Sequence, residues 1–97
     1  VLEQIIEKNP WDGEALLLAG AFYAQNGDQE KAVFRFEMAS KVQGFQADAW
    51  LEHAKILVRN QDYTKAIEIL RKAQKSKPRD NVQKYLEAIQ RVASAAN

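Results

Sequence analysis

The sequence has no cysteine, so its fold uses no disulfide, and the redox compartment stays open. Only 2 prolines and 4 glycines occur in 97 residues, too few breakers to interrupt a mainly helical composition. Neither sign of charge dominates: 14 Lys+Arg against 13 Asp+Glu leaves a net charge of +1. That balance removes any whole-chain attraction to nucleic acid or to an anionic membrane. No apolar run approaches the ~20 residues needed to span a bilayer. Val1-Leu2-Glu3-Gln4 lacks the basic start and long apolar block of a signal peptide. The chain also starts without methionine, so we expect a piece of a longer protein. Histidine is nearly absent as well. His53 stands alone, with neither a second histidine nor a cysteine to complete a metal site.

What the sequence does have is a period. Residues 13–46 and 47–80, laid on one another at a spacing of 34, are identical at eight positions, among them Asn26/Asn60, Asp28/Asp62, Ala32/Ala66 and Ala39/Ala73. Other positions match in kind: Leu16 with Trp50, Tyr23 with Leu57, Phe36 with Leu70. A fixed period of this size is the signature of a solenoid built from one supersecondary unit. Each unit reads as two helices. Leu16, Ala19, Gly20 and Tyr23 share one helical face, and Asn26-Gly27-Asp28 ends that helix. Gly27 can take the left-handed end conformation, and Asp28 can cap the next helix, which carries Ala32, Phe36 and Ala39. The second unit repeats the plan with Trp50, Ala54 and Leu57, a break at Asn60-Gln61-Asp62, then Ala66, Leu70 and Ala73. So short a break makes the two helices antiparallel neighbours.

Leu16-x2-Ala19-Gly20-x2-Tyr23 with Ala32-x3-Phe36, and Trp50-x2-His53-Ala54-x2-Leu57 with Ala66-x3-Leu70 and Pro78, resemble the tetratricopeptide repeat pattern. The resemblance implies an all-α fold, a right-handed superhelix of antiparallel helix pairs, in a single domain over 1–97. Residues 1–9, with Pro10 matching Pro78, would be the second helix of a truncated repeat. Residues 13–46 and 47–80 would be complete repeats. Residues 81–94 would be a terminal capping helix whose core positions shift by one residue to Tyr85, Ala88, Ile89 and Val92, leaving Lys84, Glu87 and Arg91 in water, and residues 93–97 would fray.

Gly20 costs roughly 1 kcal/mol inside a helix. We assign it, with Ala32, to the close contact of the two helices in its unit, and Ala54 with Ala66 to the same contact one unit on. On this reading Gly20→Leu overpacks the contact, whereas Gly20→Ala is mild or stabilising. Trp11 and Phe45, 34 apart, each precede a first helix. With Asp12 and Gln46 as caps, Trp11 faces Leu16 and Phe45 faces Trp50 as hydrophobic staples.

No catalytic constellation is present: Ser40, Ser76 and Ser94 have no base in any familiar spacing, and no glycine-rich phosphate loop occurs. The chain therefore reads as a non-enzyme with no cofactor, no metal and no small-molecule substrate. Glu37 with Lys41 and Glu68 with Lys72 read as solvated i,i+4 pairs. The basic run Arg71, Lys72, Lys75, Lys77 and Arg79 suits a helix C-terminus, and the absence of interleaved aromatics argues against a nucleic-acid partner. The family implies a concave groove lined by the first helices. Carried over by column, it holds Leu17, Ala21, Ala24 and Gln25 from one unit and Leu51, Lys55, Val58 and Arg59 from the next. Leu17 and Ala21 replace the lysine and asparagine with which one branch of the family clamps a C-terminal carboxylate, so a more apolar ligand is expected. The function implied is a scaffold binding a protein or peptide partner in that groove. The alternative is a spacer or regulatory arm of a larger enzyme or assembly machine. Self-association through the end helices is a further route, since Leu2, Ile5 and Ile6 lack a neighbour in the sequence.

Overall fold

A computed structural model describes residues 2–96. They form six helices: α1 (Leu2–Lys8), α2 (Gly13–Gln25), α3 (Gln29–Ala39), α4 (Gln46–Arg59), α5 (Tyr63–Ser76) and α6 (Asp80–Ala96). Among the described residues there is no strand. The tightest partners are α2 with α3 and α4 with α5, and α3 with α4 and α5 with α6 join them into a sequential stack of antiparallel pairs. The slab measures 45 × 27 × 16 Å. Its thin dimension fits two layers of helix, whose axes pack about 8–10 Å apart. Val1 and Asn97, which belong to the expected first helix and fraying tail, lie outside the described residues; the last helix continues to Ala96.

Small residues sit where helices touch. Leu16, Ala19, Ala32, Phe36 and Ala39 are buried in the first pair, and Ala54, Leu57, Ala66, Leu70 and Ala73 in the second. The structure corrects the expectation for Gly20→Ala. A Cβ on Gly20 would stand under 3.0 Å from three ring carbons of Phe36, and Phe36 is itself fully buried. The gap is therefore filled by the phenyl ring rather than by the opposing backbone, and even a methyl group overpacks it. The other unit holds Ala54 and Leu70 at the equivalent positions, in one core cluster. The pairs are complementary: no Cβ against a large ring, one Cβ against a smaller side chain.

The staples are also corrected. Asp12 caps α2 as expected, its carboxylate accepting from the Ala15 N–H at 3.0 Å. Trp11, however, remains exposed. Phe45 is itself the residue preceding α4, without a side-chain cap, and its ring lies over Gly13, where a Cβ would collide with it. At the terminal helix the buried residues are Val82, Leu86 and Ile89. Of the four expected there, Ile89 is buried, Tyr85 and Ala88 are half-buried, and Val92 is exposed. The period of 34 breaks here, and the core of the last helix is Val82, Leu86 and Ile89. Lys84, Glu87 and Arg91 face water.

The helix breaks are equivalent in detail. In Asn26-Gly27-Asp28 the Gly27 N–H donates to Ala24 O at 3.3 Å and the Asp28 N–H to Tyr23 O at 2.9 Å, the two bonds of a Schellman end. Asp28 Oδ1 then accepts from Lys31 N–H, capping α3. Gln61 N–H to Val58 O, Asp62 N–H to Leu57 O and Lys65 N–H to Asp62 Oδ1 repeat the arrangement. The left-handed position is Gly27 at φ 79° in one unit but Gln61 at φ 62° in the other. A side chain there costs about 1–2 kcal/mol, partly offset by the greater entropy glycine loses on folding. Gln61→Gly should therefore stabilise the chain by about 0.5–1 kcal/mol in urea denaturation; an unchanged or lowered midpoint would refute the strain.

Candidate functional site

The eight residues expected to line a groove lie on α2 and α4 at positions 34 apart. The apolar ones are half-buried and committed inward. Leu17 and Ala24 pack on the cluster of Ala32, Phe36 and Ile56, and Leu51 and Val58 on the cluster around Ala54, Leu70 and Leu86. Ala21, Gln25, Lys55 and Arg59 are exposed, and Lys55 pairs with Glu52 at 3.0 Å. None of the cavities described below is lined by any of the eight.

A concavity lies elsewhere, in a furrow between α3 and α5 with α4 as its floor. It comprises two cavities of about 630 and 440 Å³ that share Phe34, Glu37, His53 and Lys65. Val33, Ile56 and Leu57 add apolar lining at one end. Met38, Trp50 and Ile69 do so at the other, and Lys41, Glu68 and Lys72 stand along the rim. Phe34 is 56% exposed. The repeat explains why the furrow exists. A smaller cavity of about 280 Å³ one unit earlier is lined by Leu2, Glu3, Ala19, Phe22 and Tyr23, which precede Phe36, Glu37, His53, Ile56 and Leu57 by 34. There Glu3 is tied down, accepting from Tyr23 Oη and from Arg35 Nη2, each at 2.6 Å.

Reading the sequence for apolar stripes missed this furrow, although a signal was present. Phe34 is an aromatic lying off the buried stripe of its helix, in a column where the next unit has the charged Glu68. His53 takes the column of Ala19. It is only 7% exposed. It lines both cavities.

Burial lowers the His53 pKa from 6.5; Glu37 on α3 opposes this and Lys65 on α5 adds to it. Glu30, Lys31, Lys41, Glu68 and Lys72 are the other charged groups around the furrow. With a folded-state pKa below the unfolded one, the unfolded chain takes up the proton first. The stability present above about pH 6.5 is therefore lost as pH falls toward the folded value. His53→Ala, which installs the residue of the other unit, should remove this component. Melting temperatures at pH 7.5 and 5.0 should drop further for the wild type than for the variant, and equal drops would contradict it.

The remaining charges are structural. Glu37–Lys41 and Glu68–Lys72 do not pair; among the described residues the ion pairs are Asp28–Lys31, Glu3–Arg35, Glu52–Lys55 and Asp48–Arg79. Arg79, in the basic run, donates from Nη1 to Asp48 Oδ1 at 2.8 Å and so joins α4 to the linker after α5. Ser40 Oγ donates to Glu37 O at the end of its own helix. Among the described residues no group of three His, Asp or Glu could hold a metal ion, and no helix is long and apolar enough to cross a membrane.

Residues 47–80, from the start of α4 to the first residue of α6, match the family model described as Tetratricopeptide repeat. No curated protein matches the chain. The matched segment coincides with one of the two windows related by the 34-residue spacing, and the second window folds into the same helix pair with the same linker. The chain thus carries a tetratricopeptide repeat at residues 47–80, within an all-α stack of six helices.

Proposed function

We propose that the chain is a non-catalytic protein-interaction module made of two repeats, 13–46 and 47–80. The second helix of a truncated repeat flanks them at 1–9 and a capping helix at 81–94. A partner segment lies along the first helices, across Leu17, Ala21, Ala24 and Gln25 of α2 and Leu51, Lys55, Val58 and Arg59 of α4. A repeat of this family implies protein partners in general. What supports this particular face is its construction. Half-buried Leu17, Ala24, Leu51 and Val58 are held rigidly by the core beneath them. The exposed Ala21, Gln25, Lys55 and Arg59 supply clearance and polar contacts at the rim, the usual anatomy of an interface. With Leu17 and Ala21 in place of a cationic clamp, the partner contributes apolar side chains rather than a terminal carboxylate.

Charged substitutions at Leu51 or Val58 would disturb the core, so the exposed positions give the cleaner test. Ala21→Arg combined with Arg59→Glu should leave the melting temperature within a few degrees of wild type. The same variant should abolish capture of the proteins that the wild-type chain retains, whereas Phe34→Glu, outside this face, should retain them. Retention by Ala21→Arg/Arg59→Glu with loss in Phe34→Glu would move the interface to the furrow.

A further inference from the structure

Of the six helices, α1 buries the least. It has 7 residues, fewer than the ~12–15 that a helix needs to persist alone in water, so it stays folded only while docked. Its apolar anchorage is slight: Ile6 is buried, Leu2 half-buried and Ile5 40% exposed. α3, which takes the same place one unit on, buries Ala32, Phe36 and Ala39. α1 has instead a polar tie. Glu3 accepts from Tyr23 Oη and from Arg35 Nη2, each at 2.6 Å, whereas the columns of Tyr23 and Arg35 hold Leu57 and Ile69 in the next unit. The two donors are fixed without help from α1. The Tyr23 ring has Phe22 edge-on at 5.7 Å and the Lys31 ammonium over it at 5.5 Å. The Arg35 side chain is 18% exposed, donates from Nη1 to Met38 Sδ at 3.7 Å and stands 5.5 Å from the centre of the Phe34 ring.

We propose that α1 is a lid on α2, kept shut by the Glu3 latch and opening as a unit while α2–α6 remain folded. The surface beneath it is apolar. Leu2 and Glu3 wall a cavity of about 280 Å³ whose other sides are Ala19, Phe22 and Tyr23, and Ile6 belongs to the cluster of Ala15, Leu16 and Ala19. Opening uncovers this surface, which opposes it, and leaves the largely buried Arg35 without its carboxylate. Both penalties bring the lid back, and neither requires a change in α2–α6. The hinge is Asn9-Pro10-Trp11-Asp12, of which residues 9–11 are exposed. Glu3 is the member of the latch that moves. Its side chain is 48% exposed, so dissolved salt screens the pair. The latch involves none of the eight residues of the face along α2 and α4 and stands or falls independently of it.

The test is amide hydrogen exchange followed by NMR on the intact 97-residue chain, which reads local opening separately from global unfolding. In the wild type the N–H groups of Ile6, Glu7, Lys8 and Asn9 should exchange together. They should be faster than those of Ala54, Leu57 and Leu70, yet slower than in an unfolded peptide. Glu3→Gln, a change at an exposed position, should speed the α1 amides about tenfold, the scale of one charge-assisted hydrogen bond, and leave the α4 and α5 amides unchanged. Arg35→Ile, which installs the residue of the next unit, should do the same. Raising sodium chloride from 0.05 to 1 M should speed α1 exchange in the wild type but not in Glu3→Gln. Four results would each overturn the proposal: wild-type α1 amides as slow as those of α4 and α5, wild-type α1 amides at unfolded-peptide rates, no acceleration in Glu3→Gln, or equal acceleration throughout the chain.

Discussion

Two helices of a hairpin approach only as closely as the bulkiest side chain between them permits, and every other feature of this molecule rests on how that limit is met. In the first unit Gly20 gives up its side chain so that the Phe36 ring can occupy the gap. In the second, Ala54 and Leu70 divide nearly the same space differently. Gly13 and Phe45 apply the solution a third time, at the join between units. The helical cost of glycine, roughly 1 kcal/mol, is set against burial of a phenyl group in contact on all sides. Large-to-small changes at such sites typically cost 3–5 kcal/mol for phenylalanine.

Close contact within each pair also dictates where the surface is open. Because α3 and α5 both pack onto α4, they flank it without closing over it, and α4 becomes the floor of a furrow. One unit earlier, α1 and α3 flank α2 in the same way, but Glu3, Tyr23 and Arg35 tie the walls together. In the later furrow Glu37 takes the place of Glu3, and Leu57 and Ile69 replace Tyr23 and Arg35, so no such tie can form. The scaffold is therefore repeated while its surface chemistry is not. Repetition accounts for stability, and departures from it mark the places where recognition chemistry can reside.

Much of the architecture was legible in the sequence. The 34-residue spacing, the apolar face of each helix and the aspartates at the breaks point to the paired helices and to the linker they share. These are local signals, fixed by backbone geometry and one-dimensional periodicity. What escaped depended on side-chain volume across helices. The spacing marks Gly20 as a contact residue but says nothing of whether backbone or a ring fills the space opposite it. Proximity along the chain pairs Phe45 with Trp50, whereas its ring covers Gly13, 32 residues away. The terminal helix slipped its register because Val82, Leu86 and Ile89 settle against α5, with no following helix to hold the period. At the candidate sites the column rule found the α2 and α4 residues by analogy alone. It could not tell that four of them are held half-buried by the core, nor that Phe34 and His53 share a cavity.

The complementary pairing of small and large residues across each hairpin is most directly tested by a double-mutant cycle on Gly20 and Phe36, followed by urea denaturation. Gly20→Ala alone should cost about 1–3 kcal/mol through overpacking. Combined with Phe36→Leu, which recreates the Ala54–Leu70 pair, it should cost clearly less than the sum of the two single changes, a favourable coupling of about 1 kcal/mol or more. Strict additivity, or a Gly20→Ala variant as stable as the wild type, would show that the ring does not occupy the space the glycine leaves and would contradict the account.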